Sequence, residues 1–526
     1  MSSFEPFENA AENNKSLSSA GRWILGLSVV CLMVGGYLRM AVTNDYLWLD
    51  ELHTGWTVSG SLNDVYWRSA DGNQSPLFFY LCFAAVKLLG YSANSLRAVS
   101  LAGAMLLLIG LPLMVYRATR CAAAVFLVSL FLMLDYDCVF YASEARPYGM
   151  LQWLGGLQAL CFRCWSKRLL GEDEEVGAPS SFGWLTRWPV VSLLSAALVS
   201  THITGAWLLL AEAVFVVIGC LVQRMWPPAE VWKCAGLFLI LSLPALSACA
   251  IAWQRRGNWA SVSNVDLVVA QFAWAFGAMV GLPIVALAID RLLGLRADRD
   301  SKASWALLAL IGLWALVPTL AIVVLDYFQV APLGMARYAL VGSIAFPLFA
   351  AFALKRMNSK VLRWATLVIV ASFLIWNSRF FLSPAFPPVS DLRNENWADA
   401  VATIAQGDPG YPVLLAANLL EDVDAKRNRS PRFQAYLKFP VLGADPNLEN
   451  PILPLYTHGE LFTDEEAQAL AAAGGGWLIV RDRPKNVPLI MEQIEKNPQS
   501  RKWQFYLATF PAPLPNYVLL FRITPK

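Results

Sequence analysis

Apolar runs of spanning length, each closed by a short polar or basic stretch, recur along the first three quarters of the chain. They fall at 23–42, 95–116, 121–139, 144–165, 188–203, 204–222, 234–253, 267–290, 304–325, 337–354 and 362–381. A helix needs about 20 apolar residues to cross the hydrocarbon core, so the pattern predicts about eleven transmembrane helices. The run from Pro76 to Gly90 is apolar but short, and counting it as a span would invert every later loop. It is expected to be a helix lying in or dipping into the membrane interface, with Pro76 at its first turn. From about 384 the chain turns polar. Pro412-Val-Leu-Leu-Ala416, Gly476–Arg481 and Tyr517–Ile523 read as strands, and Asn396–Ala405, Thr463–Ala473 and Pro488–Lys496 as helices. The predicted fold is a polytopic α-helical membrane protein over 1–383, joined through the proline-rich Ser383–Pro388 to a C-terminal extracytoplasmic α/β domain over 384–526.

Basic residues orient the bundle. Arg117 and Arg120, then Arg163, Lys167 and Arg168, then Arg224 and Lys233, Arg291 to Lys302, and Lys355 to Arg363 all fall on one side of this count. That side is expected to be cytoplasmic, with the N-terminus inside and the C-terminal domain outside. Residues 1–20 are polar, and Trp23–Val42 is long enough to span, so it reads as an uncleaved first helix. A bacterial inner (plasma) membrane is the expected location.

Composition agrees: 57% of residues are hydrophobic, 15% are charged and the net charge is +3. There is no basic patch with interleaved aromatics, so nucleic acid is not an expected partner. All nine cysteines lie before Ala250, so the C-terminal domain is no disulfide scaffold. Cys161 and Cys164 form a C-x-x-C, read as small apolar filler because no second ligand pair accompanies it.

Charged residues at a bilayer boundary are costly unless they have work to do. Two clusters stand on the outer side of this topology: Asp50-Glu51, after Tyr46-Leu-Trp48-Leu, and Tyr141-Ala-Ser-Glu144-Ala-Arg146-Pro147-Tyr148. Asp50 and Glu51 are candidates for a general base or for metal ligands. Arg146 can grip a phosphate bidentately beside Glu144 and Tyr148, and Pro147 suits a helix start whose amides favour an anion. Arg337-Tyr338 repeats the pairing at the start of another run. His202, Asp71 and Gln74 are further candidates for substrate contact. Arg97 reads as an interfacial anchor, and the outer Arg255-Arg256 pair as a headgroup contact. No P-loop, dinucleotide fingerprint or G-x-S-x-G is present.

Taken together, the Asp50-Glu51 acids, the Ser75-Pro-Leu-Phe-Phe-Tyr80 segment ending in Leu-Leu-Gly90-Tyr-Ser, Ser95-Leu-Arg97 and Glu144-Ala-Arg146-Pro147-Tyr148 resemble the polytopic GT-C glycosyltransferases. Protein O-mannosyltransferases and lipid A aminoarabinose transferases are the most similar branches. The resemblance covers about the first 220 residues, and extends weakly through Arg337-Tyr338. It implies a sugar donor carried on polyprenyl phosphate, among membrane lipids, and a lipid, glycan or protein acceptor at the outer face. It also implies Asp50 as base with Glu51 beside it. Some members use a divalent metal. The usual Pro-Pro is Ser75-Pro76 here, and Leu52-His53 follows the acids, so that His53 is a candidate to join Asp50 and Glu51 in a divalent metal site. The expected reaction is a single displacement with inversion, the leaving phosphate held by Arg146, Arg337 or His202. The competing reading is a lipid or solute transporter, for which midplane charges and inverted repeats are the expected signs.

Overall fold

The computed structural model describes residues 19–41, 46–170, 187–254, 265–293, 302–328, 330, 335–378, 395–419, 428, 430–455, 462–482, 486–508 and 518–526. The Ser383–Pro388 linker with the 383/384 boundary, the Arg255-Arg256 pair, and Pro332 and Gly334 before Arg337 lie outside the described residues.

The chain begins with a long apolar helix, α1 (Ser19–Ala41). Three short helices follow: α2 (Leu49–Ser59), α3 (Leu62–Asp71) and α4 (Leu77–Leu89). The last is the helix expected over 76–90, and at 13 residues it is too short to span. Next come α5 (Ala93–Thr119), α6 (Ala122–Leu134), α7 (Tyr136–Phe140), α8 (Tyr148–Leu169), α9 (Trp188–Thr201), α10 (Ala206–Gln223) and α11 (Ala229–Gln254). After them run α12 (Val265–Phe276), α13 (Leu282–Leu292), α14 (Lys302–Tyr327), α15 (Ala336–Ser343), α16 (Ala345–Arg356) and α17 (Lys360–Asn377).

Among the described residues, eight helices are long and apolar enough to cross a membrane, and a bent pair makes nine. The difference from eleven lies in two places. The α9 helix has 14 residues, about 21 Å at 1.5 Å per residue, short of the ~30 Å core. The α8 helix is long enough, but Gln152, Gln158 and Arg163 dilute its apolar character, and all three are buried. The run 121–139 is not one rod either. It bends by 66° between α6 and α7. Asp135 caps the new direction by accepting from the Cys138 amide at 2.8 Å. That bend carries the chain through a 3-10 turn at 141–143 into the Glu144–Pro147 stretch.

Helices approach closely where small residues meet. A Cβ on Gly149 of α8 would fall on the Ser100 carbonyl of α5. At the centre, every residue of α16 from Ala345 to Ala351 is buried. The outward faces stay apolar, as hydrocarbon requires.

The C-terminal part contains α18 (Trp397–Ala405), β1 (Val413–Ala416), α19 (Pro431–Leu437), α20 (Phe439–Ala444), β2 (Ile452–Pro454), α21 (Asp464–Ala473), β3 (Gly476–Arg481), α22 (Val487–Glu495), β4 (Trp503–Ala508) and β5 (Val518–Pro525). The sheet order is β2-β1-β3-β5-β4. Strands β2, β1 and β3 are parallel, and β5 and β4 add antiparallel. Strand periodicity splits the core into two layers. Val413, Leu415, Trp477 and Ile479 face one cluster with α18, α19 and α20, while Leu414, Ala416, Leu478 and Val480 face the other with α21. The first cluster also takes in Leu52 and Trp56 of α2. The C-terminal sheet thus shares a hydrophobic core with the first short helix of the membrane part.

Candidate active site

The α2 helix is the frame of the site. Its length and apolar content are modest, so tertiary contacts hold it in place. Glu51 is completely buried and faces Arg97 of α5, which is equally buried. Both carboxylate oxygens bond the guanidinium at 2.6 Å. Glu51 Oε1 also accepts from the Ala145 amide at 2.7 Å, and Oε2 from the Trp48 amide at 3.4 Å. Thr54 returns the contact by donating to the Ala145 carbonyl at 2.7 Å. Two turns of α2 are therefore stapled to the Glu144–Pro147 stretch. From the other side, Glu395 just before α18 accepts from the Leu49 amide at 3.0 Å, and is itself held by Arg481 at 2.7 Å and Trp397 at 2.9 Å.

With α2 held from both sides, Asp50 points at Arg337, with Oδ2 2.9 Å from Nη1. The pair is accessible: the Arg337 side chain is 22% exposed and that of Asp50 28%. Arg146 donates to the Asp50 backbone carbonyl at 3.3 Å. Arg146 Nε and Arg337 Nε are buried with no hydrogen-bond partner among the described residues. Burial pushes the Asp50 carboxyl up, but Arg146 and Arg337 outweigh it and hold the group below the usual carboxylate range. Burial likewise opposes charge on Arg146, and Asp50 more than restores it, so that guanidinium is held above its ordinary value.

Aromatic and imidazole rings form the wall nearest the helix bundle. Tyr148 lies 5.5 Å from the His202 ring, and His202 stacks on Tyr338 at 6.3 Å. Tyr141 packs on Tyr148 at 4.9 Å. Arg337 lies over the Tyr338 ring at 5.3 Å. His202 is oriented by Thr204, whose hydroxyl is 2.7 Å from Nδ1.

The structure thus brings together Asp50, Arg146, Tyr148, His202, Arg337 and Tyr338 from four separate stretches. Glu144 is fully buried next door, within electrostatic reach of Arg146. Glu51 does not face the opening: its carboxylate is spent on Arg97 and two backbone amides, which fits a brace rather than a base. Asp71 is also drawn elsewhere. It forms a bidentate pair with Arg432 of α19, both bonds 2.6 Å, and fastens α3 to the C-terminal part. Gln74 is half-buried in the turn before α4, its Oε1 without a hydrogen-bond partner among the described residues.

Nor do Asp50, Glu51 and His53 present a common metal set. Glu51 is taken by Arg97, and His53 is enclosed by Trp56, Phe79, Tyr436 and Phe439, with ring centres 5.4–6.1 Å away. Among the described residues no three His, Cys, Asp or Glu side chains gather around one point. Sequence reasoning missed the role of Arg97, read as an interfacial anchor, and the capping Glu395. The signal for Arg97 was that it is the one charged residue of α5 before Arg117.

The bundle, the short helices on its rim and the appended sheet define the GT-C fold. The chain superposes on the crystal structure of ArnT from Cupriavidus metallidurans bound to undecaprenyl phosphate with a TM-score of 0.54 and 15% identity, over 96% of this chain and 98% of that one. The apo form of that protein gives 0.44 at 12% identity, over 96% and 98%. An Archaeoglobus fulgidus oligosaccharyltransferase tethered to an acceptor peptide gives 0.42 at 11%, over 95% and 76%. No family model and no curated protein matches the sequence.

Proposed function

We propose that this protein is an integral-membrane glycosyltransferase that moves a sugar from a polyprenyl phosphate to an acceptor at the outer face. The observation that carries the reading is the half-buried, solvent-reachable Asp50–Arg337 pair with Arg146 beside it: one carboxylate and two guanidiniums with donors to spare. The resemblance read from the sequence and the ligand in the ArnT structure both supply a donor of matching chemistry. Positive charge in excess at the mouth of apolar helices suits a lipid-borne phosphate.

The mechanism follows from the charges. Without donor, Asp50 is the counterion of Arg337. A donor phosphate competes for Arg337 and Arg146, and frees the Asp50 carboxylate. Asp50 then accepts the proton of the acceptor hydroxyl or amine as that atom attacks the anomeric carbon. The bond to the phosphate oxygen breaks, its electron pair leaves with the polyprenyl phosphate, and the two guanidiniums hold the added charge. One displacement inverts the anomeric centre. The outer face is taken as the side opposite the basic loops, with the bacterial inner membrane as the proposed setting.

The test is sugar transfer by the purified chain in lipid, with polyprenyl-phosphate sugars and a membrane acceptor mixture. Asp50→Asn should abolish transfer while the protein stays folded. Glu51→Ala should instead lower stability by about 3–5 kcal/mol, because it removes the carboxylate that neutralises the buried Arg97 guanidinium. Full transfer by Asp50→Asn, or retention in the product, would overturn the mechanism.

A further inference from the structure

A second polar cavity lies at the opposite end of α2 from Asp50. Its volume is about 390 Å³, and its walls include Trp56, Ser59, Arg68, Lys87, Tyr91 and Asn447. Binding sites for small molecules run from roughly 300 to 1,000 Å³, so the space is adequate for a headgroup. Ser59 is nine residues beyond Asp50, roughly 13 Å along the helix at 1.5 Å per residue. The two openings are therefore separate.

The charged side chains in the lining itself are Arg68 and Lys87, and none of the lining residues is acidic. Asp64, one turn before Arg68, and Asp445 lie within electrostatic reach of Arg68 and Tyr91 respectively, so the positive charge is partly offset on Arg68 and stands clear on Lys87. Arg68 is set in advance: Nη1 donates to the Trp56 carbonyl at 2.5 Å and to the Ser59 hydroxyl at 3.3 Å, and the guanidinium lies 4.8 Å from the Trp56 ring centre. Among the described residues no hydrogen bond uses its Nε or Nη2. A guanidinium held at one nitrogen loses little freedom when its remaining donors meet an anion. Lys87 forms no ion pair among the described residues, and its ammonium lies 5.2 Å from the Phe83 ring. The far wall is equally fixed, since Tyr91 donates to the Gly443 carbonyl at 2.5 Å.

The flank indicates where the ligand comes from. Leu88 and Leu89, directly after Lys87, are 83% and 67% exposed at the tip of α4. A cation followed by bare apolar side chains on a short helix suits the boundary between headgroups and acyl chains.

We propose that this cavity binds the phosphate of a membrane lipid headgroup between Arg68 and Lys87, with the Asn447 amide at the rim and the acyl chains beside Leu88 and Leu89. The site goes beyond the transfer reaction and is independent of Asp50.

Native mass spectrometry of the full chain, titrated separately with phosphatidylglycerol, phosphatidylcholine and inorganic phosphate, tests it. Lys87→Glu and Asn447→Asp each place a carboxylate at an exposed rim position, so both should fold. The expected result is about tenfold tighter retention of phosphatidylglycerol than of phosphatidylcholine, roughly 1.4 kcal/mol, lost in either variant and kept in Asp50→Asn. Equal retention by wild type and both variants would overturn the site. Inorganic phosphate bound as tightly as phosphatidylglycerol, and sensitive to Lys87→Glu, would overturn the lipid source and support a soluble phosphate ligand.

Discussion

Two neighbouring carboxylates, Asp50 and Glu51, meet opposite fates. On a helix they point about 100° apart, so one turns to the opening and Arg337 while the other turns inward to Arg97. Adjacent acids in a sequence look alike, and only the partner each one meets separates base from brace. The partner also sets a pH signature. In the free protein the two arginines hold the Asp50 carboxyl below its ordinary range. A bound donor phosphate draws that positive charge away, so Asp50 should titrate higher in the complex. The acid limb of kcat should therefore lie at higher pH than that of kcat/KM, which reports the free protein. Coincident limbs in a full pH profile would remove Arg337 from the phosphate.

Among elements, α2 is the piece through which the membrane part and the sheet meet. It packs against α20 at a backbone distance that only glycine permits: a Cβ on Gly443 would fall on the Leu52 carbonyl oxygen. Leu52 and Trp56 complete the core that holds Trp397, Phe433 and Phe439. Gly443→Val should push α20 off α2 and lower transfer by displacing Asp50, even though residue 443 lies far from the reacting atoms. Faster proteolysis between the two parts, together with lost transfer, is the expected pair of results; wild-type behaviour in both assays would show that the contact has slack.

For the molecule as a whole, the junction is polar and apolar at once. Asp71–Arg432 and Glu395–Arg481 flank an aromatic cage around His53. Burial first, and then Arg146, push the His53 imidazole down to about 3 against the pull of Asp50. An unfolded chain takes up that proton near pH 6.5, whereas the folded one keeps the ring neutral. Stability from this group is therefore full above pH 6.5 and declines as pH falls toward 3. At pH 5 the loss is about 2 kcal/mol. Thermal melts at pH 7.5 and 5 should show a larger drop for wild type than for His53→Phe, and equal drops would mean that the cage admits the charged ring.

Hydrophobic periodicity carried most of the architecture. Long apolar runs must be helices in hydrocarbon, where every backbone group has to be satisfied within the segment. Short apolar runs between turn residues marked β1, β3 and β5, while β2 has only three residues and the apolar edge strand Trp503–Ala508 was not picked out. Asp50, Arg146 and Arg337, singled out by charge at a helix end, do converge, together with Tyr148, His202 and Tyr338, because a boundary charge in an apolar chain is rare enough to be informative. The chain alone could not tell that Glu51 would meet Arg97, that Asp71 would leave for Arg432, or that 121–139 would bend at Asp135. Each of these depends on a partner tens to hundreds of residues away or on a cap that competes with helix continuation. Local pattern determines which segments are buried; only the packed bundle decides which buried charge is neutralised and which is left facing the opening.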